Sequence, residues 1–269
     1  MKSLSIASLI GIGAALISAP ALATTWNYGA GATTTAASIV NSPVGGPSAT
    51  AKTYVASNNT TTLANGNVTN FNSVNSGGLS MCSTLDPSYP NCTAPNHALD
   101  NSTGLESLLL TFGSAVNLNQ IVLGYARESA GSGSYFGRAD FSLLAYTGGG
   151  SPLSLTSLKY NNLTVNGWSV VGNYADITGT ATVKTNVSSS YWLIAAYNSQ
   201  FSAGGCYAAD GVTASANCTV GGASDALGSD YLKVYSVSGT SGNKTPEPSS
   251  LALLGIGLLG ALSLRRRQK

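Results

Sequence analysis

Residues 105–112 of this 269-residue chain have the sequence Leu-Glu-Ser-Leu-Leu-Leu-Thr-Phe. Leu108, Leu109 and Leu110 form a continuous apolar run. A strand with one solvent-exposed face instead alternates apolar and polar residues. A continuous run of strand length is typical of a strand that is covered on both sides. The stretch therefore predicts a β-strand that is buried on both faces.

Similar short segments recur along the chain, rich in β-branched or aromatic residues and bounded by Gly, Asn or Ser. In Tyr231–Tyr235 the alternation places Leu232 and Val234 on one face and Lys233 on the other. No stretch outside the two chain ends keeps a helical period. The further predicted strands are Ile121–Tyr125, Phe141–Tyr146, Trp168–Val171, Tyr191–Tyr197 and Tyr231–Val237, with weaker ones at Thr25–Tyr28, Ala51–Ala56 and Asn67–Phe71.

Strands at this spacing predict an all-β fold, an antiparallel β-sandwich of the jelly-roll kind. We expect this body to occupy residues 24–238, since roughly 220 residues are enough for one sizeable sandwich. Residues 24–78 are rich in Thr, Asn and Ser, so they form either the first strands of the sheet or a partly ordered arm. Residues 239–245 are predicted to be a flexible linker.

The amino terminus has the features of a secretory signal peptide. Lys2 is followed by an apolar run, and the small residues Ala21 and Ala23 form a cleavage box before Thr24. Residues 1–23 are therefore predicted to direct the chain to the secretion machinery and to be removed by a signal peptidase. A buried N-terminal helix, the alternative, would not explain the charged start and the cleavage box together.

The carboxyl terminus, residues 246–269, has three parts. Pro246-Glu247-Pro248 interrupts any helix, residues 249–264 carry no charge, and Arg265-Arg266-Arg267 makes the end basic. A helix over residues 249–264 would be about 24 Å long, slightly short for a hydrocarbon core of about 30 Å. We expect a weak transmembrane anchor with the arginines on the cytoplasmic side and the body outside.

This tail resembles the PEP-CTERM sorting signal, which membrane transpeptidase-like enzymes called exosortases recognise and process. The resemblance rests on Pro246-Glu247-Pro248, Leu251–Leu254, Gly257–Gly260 and the three arginines. It implies a protein that is held briefly in the inner membrane, processed by an exosortase, and left at the cell surface or in the extracellular space. An ordinary C-terminal anchor is the alternative.

The body is similar to a second pattern. Asn96–Asn101, then Gly104–Phe112, and later Asp140–Gly148 resemble the core of exosortase-dependent surface proteins. This resemblance covers roughly residues 96–238. Members of that group are secreted β proteins without assigned catalysis, so the resemblance implies a location and a fold.

The charges of the body are few and dispersed. Between Thr24 and Glu247 there are seven Lys or Arg against ten Asp or Glu, so the body is mildly acidic although the whole precursor has a formal charge of +2. Because there is no basic stripe, we expect no nucleic-acid partner. The abundance of Gly, Ser, Thr and Asn suits extracellular β structure.

The four cysteines fall into two local pairs, Cys82 with Cys92 and Cys206 with Cys218. In an exported protein such pairs predict two disulfides, each closing a short loop of turn residues, although the sequence alone permits two other pairings. A zinc site is the alternative. The spacings are not C-x-x-C, however, and the chain has one His.

Five acidic residues lie beside the ends of predicted strands, where oxygen ligands at the rim of a sandwich can hold Ca²⁺. No D-x-D-x-D-G loop is present, so the alternative is that these carboxylates are solvated turn residues. Calcium is the one cofactor that this pattern permits. The five residues are Asp100, Glu106, Glu128, Asp140 and Asp230.

We expect a non-enzymatic cell-surface or extracellular-matrix protein, because the sequence shows no cluster of acid, base and nucleophile. His97 lies three residues before Asp100, but no G-x-S-x-G motif supplies a nucleophile for a triad.

Two other functions compete with this interpretation. The first is a module that binds carbohydrate, such as an exopolysaccharide, by stacking sugars on Trp168 and Trp192. The second is a hydrolase in which two carboxylates, Glu106 and Glu128, face each other across a cleft.

Overall fold

The computed structural model describes residues 23–29, 33–71, 76–87, 89–92, 94–130, 133–218 and 229–241. Residues 1–22 of the predicted signal peptide and the C-terminal segment 246–269, including the predicted membrane helix 249–264, lie outside these residues. Ala23, the last residue of the predicted signal peptide, begins the first strand. In the described part of the chain, no helix is both long enough and apolar enough to cross a membrane.

The described chain is all-β, as predicted. Fifteen strands belong to one hydrogen-bonded sheet, and the helical elements among them are short 3-10 turns. In chain order the strands are β1 Ala23–Asn27, β2 Thr34–Ala36, β3 Ile39–Asn41, β4 Ala49–Ala56, β5 Ala64–Phe71, β6 Gly78–Cys82, β7 Leu99–Asp100, β8 Leu105–Ala130, β9 Gly133–Phe136, β10 Ala139–Tyr146, β11 Trp168–Ile177, β12 Thr180–Thr182, β13 Ser189–Ala196, β14 Cys206–Tyr207 and β15 Ser229–Ser241. The 3-10 turns are Leu155–Ser157, Tyr160–Asn162, Thr164–Asn166 and Ser199–Gly204.

Strand β8 organises the sheet. Its first half pairs antiparallel with β4 on one edge and with β13 on the other, and β10 and β11 continue the sheet beyond β13. Its second half pairs with β15 over the whole length of that strand. Along its other edge, β15 pairs with β1, β6 and β7. One strand therefore joins two groups of strands.

The sequence predicted two strands where the structure has β8 alone. Gly113 looks like a break after Phe112, but its N–H donates to the carbonyl oxygen of Ser48 at 2.8 Å. Backbone pairing therefore continues past the glycine, and the chain has no reason to leave the sheet there.

Two hydrophobic cores cover the two faces of the first half of β8. Leu108 and Leu110 are fully buried in the first core, and the intervening Leu109 packs in the second. The prediction of a strand covered on both sides is confirmed. Leu232 and Val234 of β15 lie in the first core, which confirms the alternation predicted there.

The second core is closed by the segment between β10 and β11. Leu155, Leu158 and Leu163 of this segment are buried against the sheet. The hydroxyl of Tyr160 donates to the carbonyl oxygen of Leu105 at 3.0 Å, at the start of β8. This segment, in which the sequence predicted no strand, thus covers a face of the sheet that would otherwise be exposed.

The structure decides between two alternatives for the first segment and moves one predicted boundary. The first part of the chain supplies β1 to β5, so the segment 24–78 contributes strands of the sheet and is not a separate arm. The predicted linker also begins too early, because β15 continues to Ser241. Gly239 lies between β1 and β8, where a Cβ would lie 2.6 Å from the carbonyl oxygen of Asn117. The glycine permits this close approach, and linker flexibility is not its role.

Both predicted disulfides are present, Cys82–Cys92 and Cys206–Cys218, with Cα–Cα distances of 5.7 and 5.9 Å. The first closes the loop that follows β6, and the second connects β14 to the segment that follows it. Bonded cysteines offer no thiolate to a metal, so the zinc alternative is wrong.

Truncation of a leucine on β8 tests the buried strand. We expect Leu110→Ala to lower the free energy of unfolding by about 2–5 kcal/mol, because the side chain is fully buried and its loss leaves a cavity. Val165→Ala is the control, since Val165 is 82% exposed and its truncation should change stability by less than about 0.5 kcal/mol. Equilibrium urea unfolding with intact disulfides measures both. Equal losses would contradict the doubly covered strand.

Candidate functional site

Three carboxylates meet beside the first disulfide loop. Asp86 belongs to the loop closed by Cys82–Cys92, Asp100 to β7 and Glu106 to β8. Their exposed fractions are 5%, 0% and 1%, and one oxygen of each lies within 4.8 Å of the others. We call this group the first acidic cluster.

Hydrogen bonds satisfy most oxygens of the first acidic cluster. The Ser83 N–H donates to Asp86 Oδ2 at 2.6 Å, and the Asp100 N–H donates to Glu106 Oε2 at 3.2 Å. Asp100 Oδ1 accepts from both the N–H and the hydroxyl of Ser102, at 2.9 and 2.7 Å. Asp100 Oδ2 is buried and has no hydrogen-bond partner among the described residues.

The charge state of this cluster follows from burial. Burial raises the pKa of Asp86, raises that of Asp100 to about 7, and raises that of Glu106 well above its usual range. The charges of the neighbouring carboxylates raise the last two pKa values further. No basic side chain in the described part of the chain counters these shifts.

A second group contains Glu128, Asp140, Asp176 and Asp230, and it surrounds an arginine. Arg138 Nε lies 2.5 Å from Glu128 Oε2, and Arg138 Nη1 lies 3.0 Å from Asp176 Oδ1. We call this group, with Arg138, the second acidic cluster. The Arg138 guanidinium forms ion pairs with two of the carboxylates, so a side chain of the protein supplies the positive charge of this cluster.

The second acidic cluster contains residues of four strands, β8, β10, β11 and β15. The N–H of Asp140 on β10 donates to Asp230 Oδ1 on β15 at 2.8 Å, and the N–H of Asp176 on β11 donates to Asp140 Oδ1 at 2.7 Å. Asn101 Nδ2 donates to Asp230 Oδ2 at 3.1 Å. Burial is the main cause that raises the pKa of Asp230 well above its usual range, with the Asp140 charge next.

The five acidic residues of the predicted calcium set are therefore divided between the two clusters. All five are at most 4% exposed, so the alternative that they are solvated turn residues is wrong. Asp86 and Asp176 also belong to the clusters but were missed by the sequence analysis. The position of Asp86 inside a disulfide loop was a signal that could have found it. Asp176 has no such signal, because its contacts with Arg138 and Asp140 arise only from the fold.

Lys233 lies in a buried aromatic pocket, on the face of β15 opposite to Leu232 and Val234. The residue is 1% exposed, and its Nζ lies 3.9 Å from the ring centroid of Phe71 and 5.2 Å from that of Tyr125. Nζ donates to the carbonyl oxygen of Ser76 at 3.2 Å. The His97 ring packs between Phe71 and Tyr125, at centroid distances of 5.2 and 5.7 Å. Burial, then the Lys233 charge, lowers the pKa of His97.

The structure contradicts two proposed ligand-binding arrangements. Trp168 and Trp192 are 2% and 0% exposed and belong to the second and first cores, so their rings cannot stack on a sugar. Glu106 and Glu128 lie in different clusters and are both buried, so they do not form a pair across an open cleft. His97 forms no described hydrogen bond with Asp100.

A cavity of about 330 Å³ opens beside the first disulfide loop. Tyr89, on that loop, is 50% exposed and supplies an aromatic surface at the cavity. The remaining polar lining comes mainly from Ser38, Lys52, Asn65, Asn67 and Ser83. Ser83 also donates its N–H to Asp86, so the cavity and the first acidic cluster share a wall.

The fold and these sites define a disulfide-containing, all-β body with buried acidic clusters. Residues 244–267 match the family model of the PEP-CTERM protein-sorting motif, which confirms the resemblance of the tail. The chain is thus an exported protein sorted by an exosortase, with a final location at the surface or outside the cell. No curated protein matches the chain.

Replacement of Lys233 tests the buried charge. Burial lowers the pKa of Lys233 to about 8 from 10.5, so between these values the unfolded chain binds more protons than the folded chain. Protonation then opposes folding, and wild-type stability should rise with pH across this window. We expect Lys233→Met to unfold about 3–6 °C higher at pH 7, with the gain lost near pH 10.5.

Thermal unfolding of the two proteins between pH 7 and 10.5 measures this difference. His97 and Tyr125 are the titratable groups that face Lys233. The variant also loses the charge that contributes to the lowered pKa of His97, but burial, the main cause, remains and keeps this pKa below the measured pH window. Lys52→Met is the matched control, since Lys52 is exposed and its replacement should change the unfolding temperature little. A constant difference between wild type and Lys233→Met would contradict the buried-charge interpretation.

Proposed function

We propose that this protein is a non-enzymatic component of the cell surface or extracellular matrix, with a body that forms a jelly-roll-like β-sandwich. The two groups of strands joined by β8 contribute to one shared core, which supports the sandwich. The observation that carries the proposal is the burial of reactive groups. All described carboxylates except Asp210 lie in the two acidic clusters, where they join strands to one another.

The route to the surface follows from the two chain ends. In this proposal, the predicted signal peptide 1–23 directs export, and the uncharged segment 249–264 anchors the precursor in the inner membrane with Arg265–Arg267 in the cytoplasm. Because proline disfavours helix, the sequence Pro246-Glu247-Pro248 predicts a segment whose backbone an exosortase can reach just outside the membrane. After processing, the body is released to the surface or matrix.

Replacement of Pro246-Glu247-Pro248 by three alanines tests this route. The helix would extend upstream and cover the backbone that the prolines expose, so the variant should accumulate in the membrane as the longer precursor. Intact mass and cell fractionation, in hosts with and without the exosortase, give the result. Equal processing and release of both proteins would show that the segment is only a linker.

A second candidate function is carbohydrate binding, and the cavity beside Tyr89 favours it. An exposed aromatic ring beside amide and hydroxyl groups is suited to stacking a sugar and bonding its hydroxyls. The ligand would be an exopolysaccharide of the producing cell. This site replaces the tryptophans, which are buried.

Affinity electrophoresis in the exopolysaccharide of the host tests this candidate. We expect Tyr89→Ala to weaken binding about 3- to 10-fold, the range of a lost aromatic contact, while Tyr89→Phe retains the ring and most of the affinity. Leu153→Ala, an exposed residue outside the cavity, is the matched control. If wild type shows no retardation, the protein has a structural role alone.

A further inference from the structure

We propose that the first acidic cluster binds one Ca²⁺ ion, held by the carboxylates of Asp86, Asp100 and Glu106. This inference goes beyond the proposed function, because a calcium site is compatible with a structural role and with carbohydrate binding alike. The ion would join the disulfide loop to β7 and β8.

The spacing of the oxygens fits a single ion. Ca²⁺ binds oxygen at about 2.3–2.6 Å, so two ligands on opposite sides of one ion are at most about 4.6–5.2 Å apart. One oxygen from each of the three carboxylates lies within 4.8 Å of the others. Three oxygens at these mutual distances are within reach of one ion of this size after small adjustments of the side chains.

The unpaired oxygen of Asp100 is an independent sign of a missing ligand. The residue is fully buried, and its Oδ2 has no hydrogen-bond partner in the described part of the chain. A buried carboxylate oxygen without a partner is costly, since it has lost its water and gained nothing in return. A bound cation supplies the missing interaction.

The second acidic cluster provides a comparison within the same molecule. There Arg138 forms ion pairs with Glu128 and Asp176, and it takes the place that a metal ion would occupy. The described residues contribute no such basic group to the first cluster. We therefore expect one calcium site and not two.

The donor set selects the kind of metal. Cys82 and Cys92 are close to Asp86 but are joined in a disulfide, so the available ligands are oxygens. An oxygen-only set is suited to Ca²⁺ or Mg²⁺, and Ca²⁺ tolerates irregular geometry better. The ion would also hold the loop that carries Tyr89, and so the wall of the cavity.

Calorimetric titration of the exported, processed protein with CaCl₂, after EDTA treatment and desalting, tests the site. We expect one Ca²⁺ per chain in the wild type. Asp86→Asn and Glu106→Gln each remove one ligand charge and should weaken binding at least about tenfold. Asp176→Asn is the matched control in the second cluster and should leave calcium affinity unchanged. Loss of binding in Asp176→Asn, with Asp86→Asn unaffected, would overturn the assignment.

A second measurement decides the case in which a ligand variant fails to fold. Calcium should raise the unfolding temperature of the wild type by about 5–10 °C at a concentration about 100-fold above Kd, and EDTA should reverse the shift. Absence of both a shift and a heat of binding, or a preference for Mg²⁺, would overturn the proposal. The Pro-Glu-Pro variant should bind Ca²⁺ normally, so failure of the sorting route and failure of the metal site are distinguishable.

Discussion

The first half of β8 is covered on both faces, and the rest of the fold is arranged around this constraint. Leu108 and Leu110 pack in one core and Leu109 in the other, while β4 and β13 occupy the two edges. Leu108, Leu109 and Leu110 are shielded from water, so the backbone of this strand must pair on both edges. Burial of one leucine contributes about 1.5–3 kcal/mol, and the two cores gain this from opposite sides.

The same burial explains the unusual placement of charge. Glu106 lies on β8, and Asp100 pairs with β15 in β7, so neither side chain can reach water without leaving the sheet. The two acidic clusters compensate in different ways, one through Arg138 and the other through hydrogen bonds and, in our proposal, an ion. Little charge then remains for the surface, which is rich in Ser, Thr and Asn and suits a matrix protein.

Much of the local structure was predictable. Each predicted strand overlaps an observed one, and the buried pattern of Leu232 and Val234 is as expected. Predictions failed where a residue has a partner that is distant in sequence. Gly113 continues a strand because Ser48 accepts its N–H, and Gly239 is required by the nearby Asn117. The amino-acid composition around each glycine predicts neither the contact with Ser48 nor the contact with Asn117.

The all-β class and the sorting motif of residues 244–267 were determined by the sequence alone, because each depends on a local pattern or on a short motif. The sequence favoured the two local disulfides, and the structure selects them over the two other pairings. The sites were decided by the tertiary structure. Glu106 and Glu128 lie on one strand yet join different clusters, and Asp86 meets Asp100 only when its loop folds over β7. Sheet register and loop position set these distances, and both arise from packing between distant segments that periodicity does not encode.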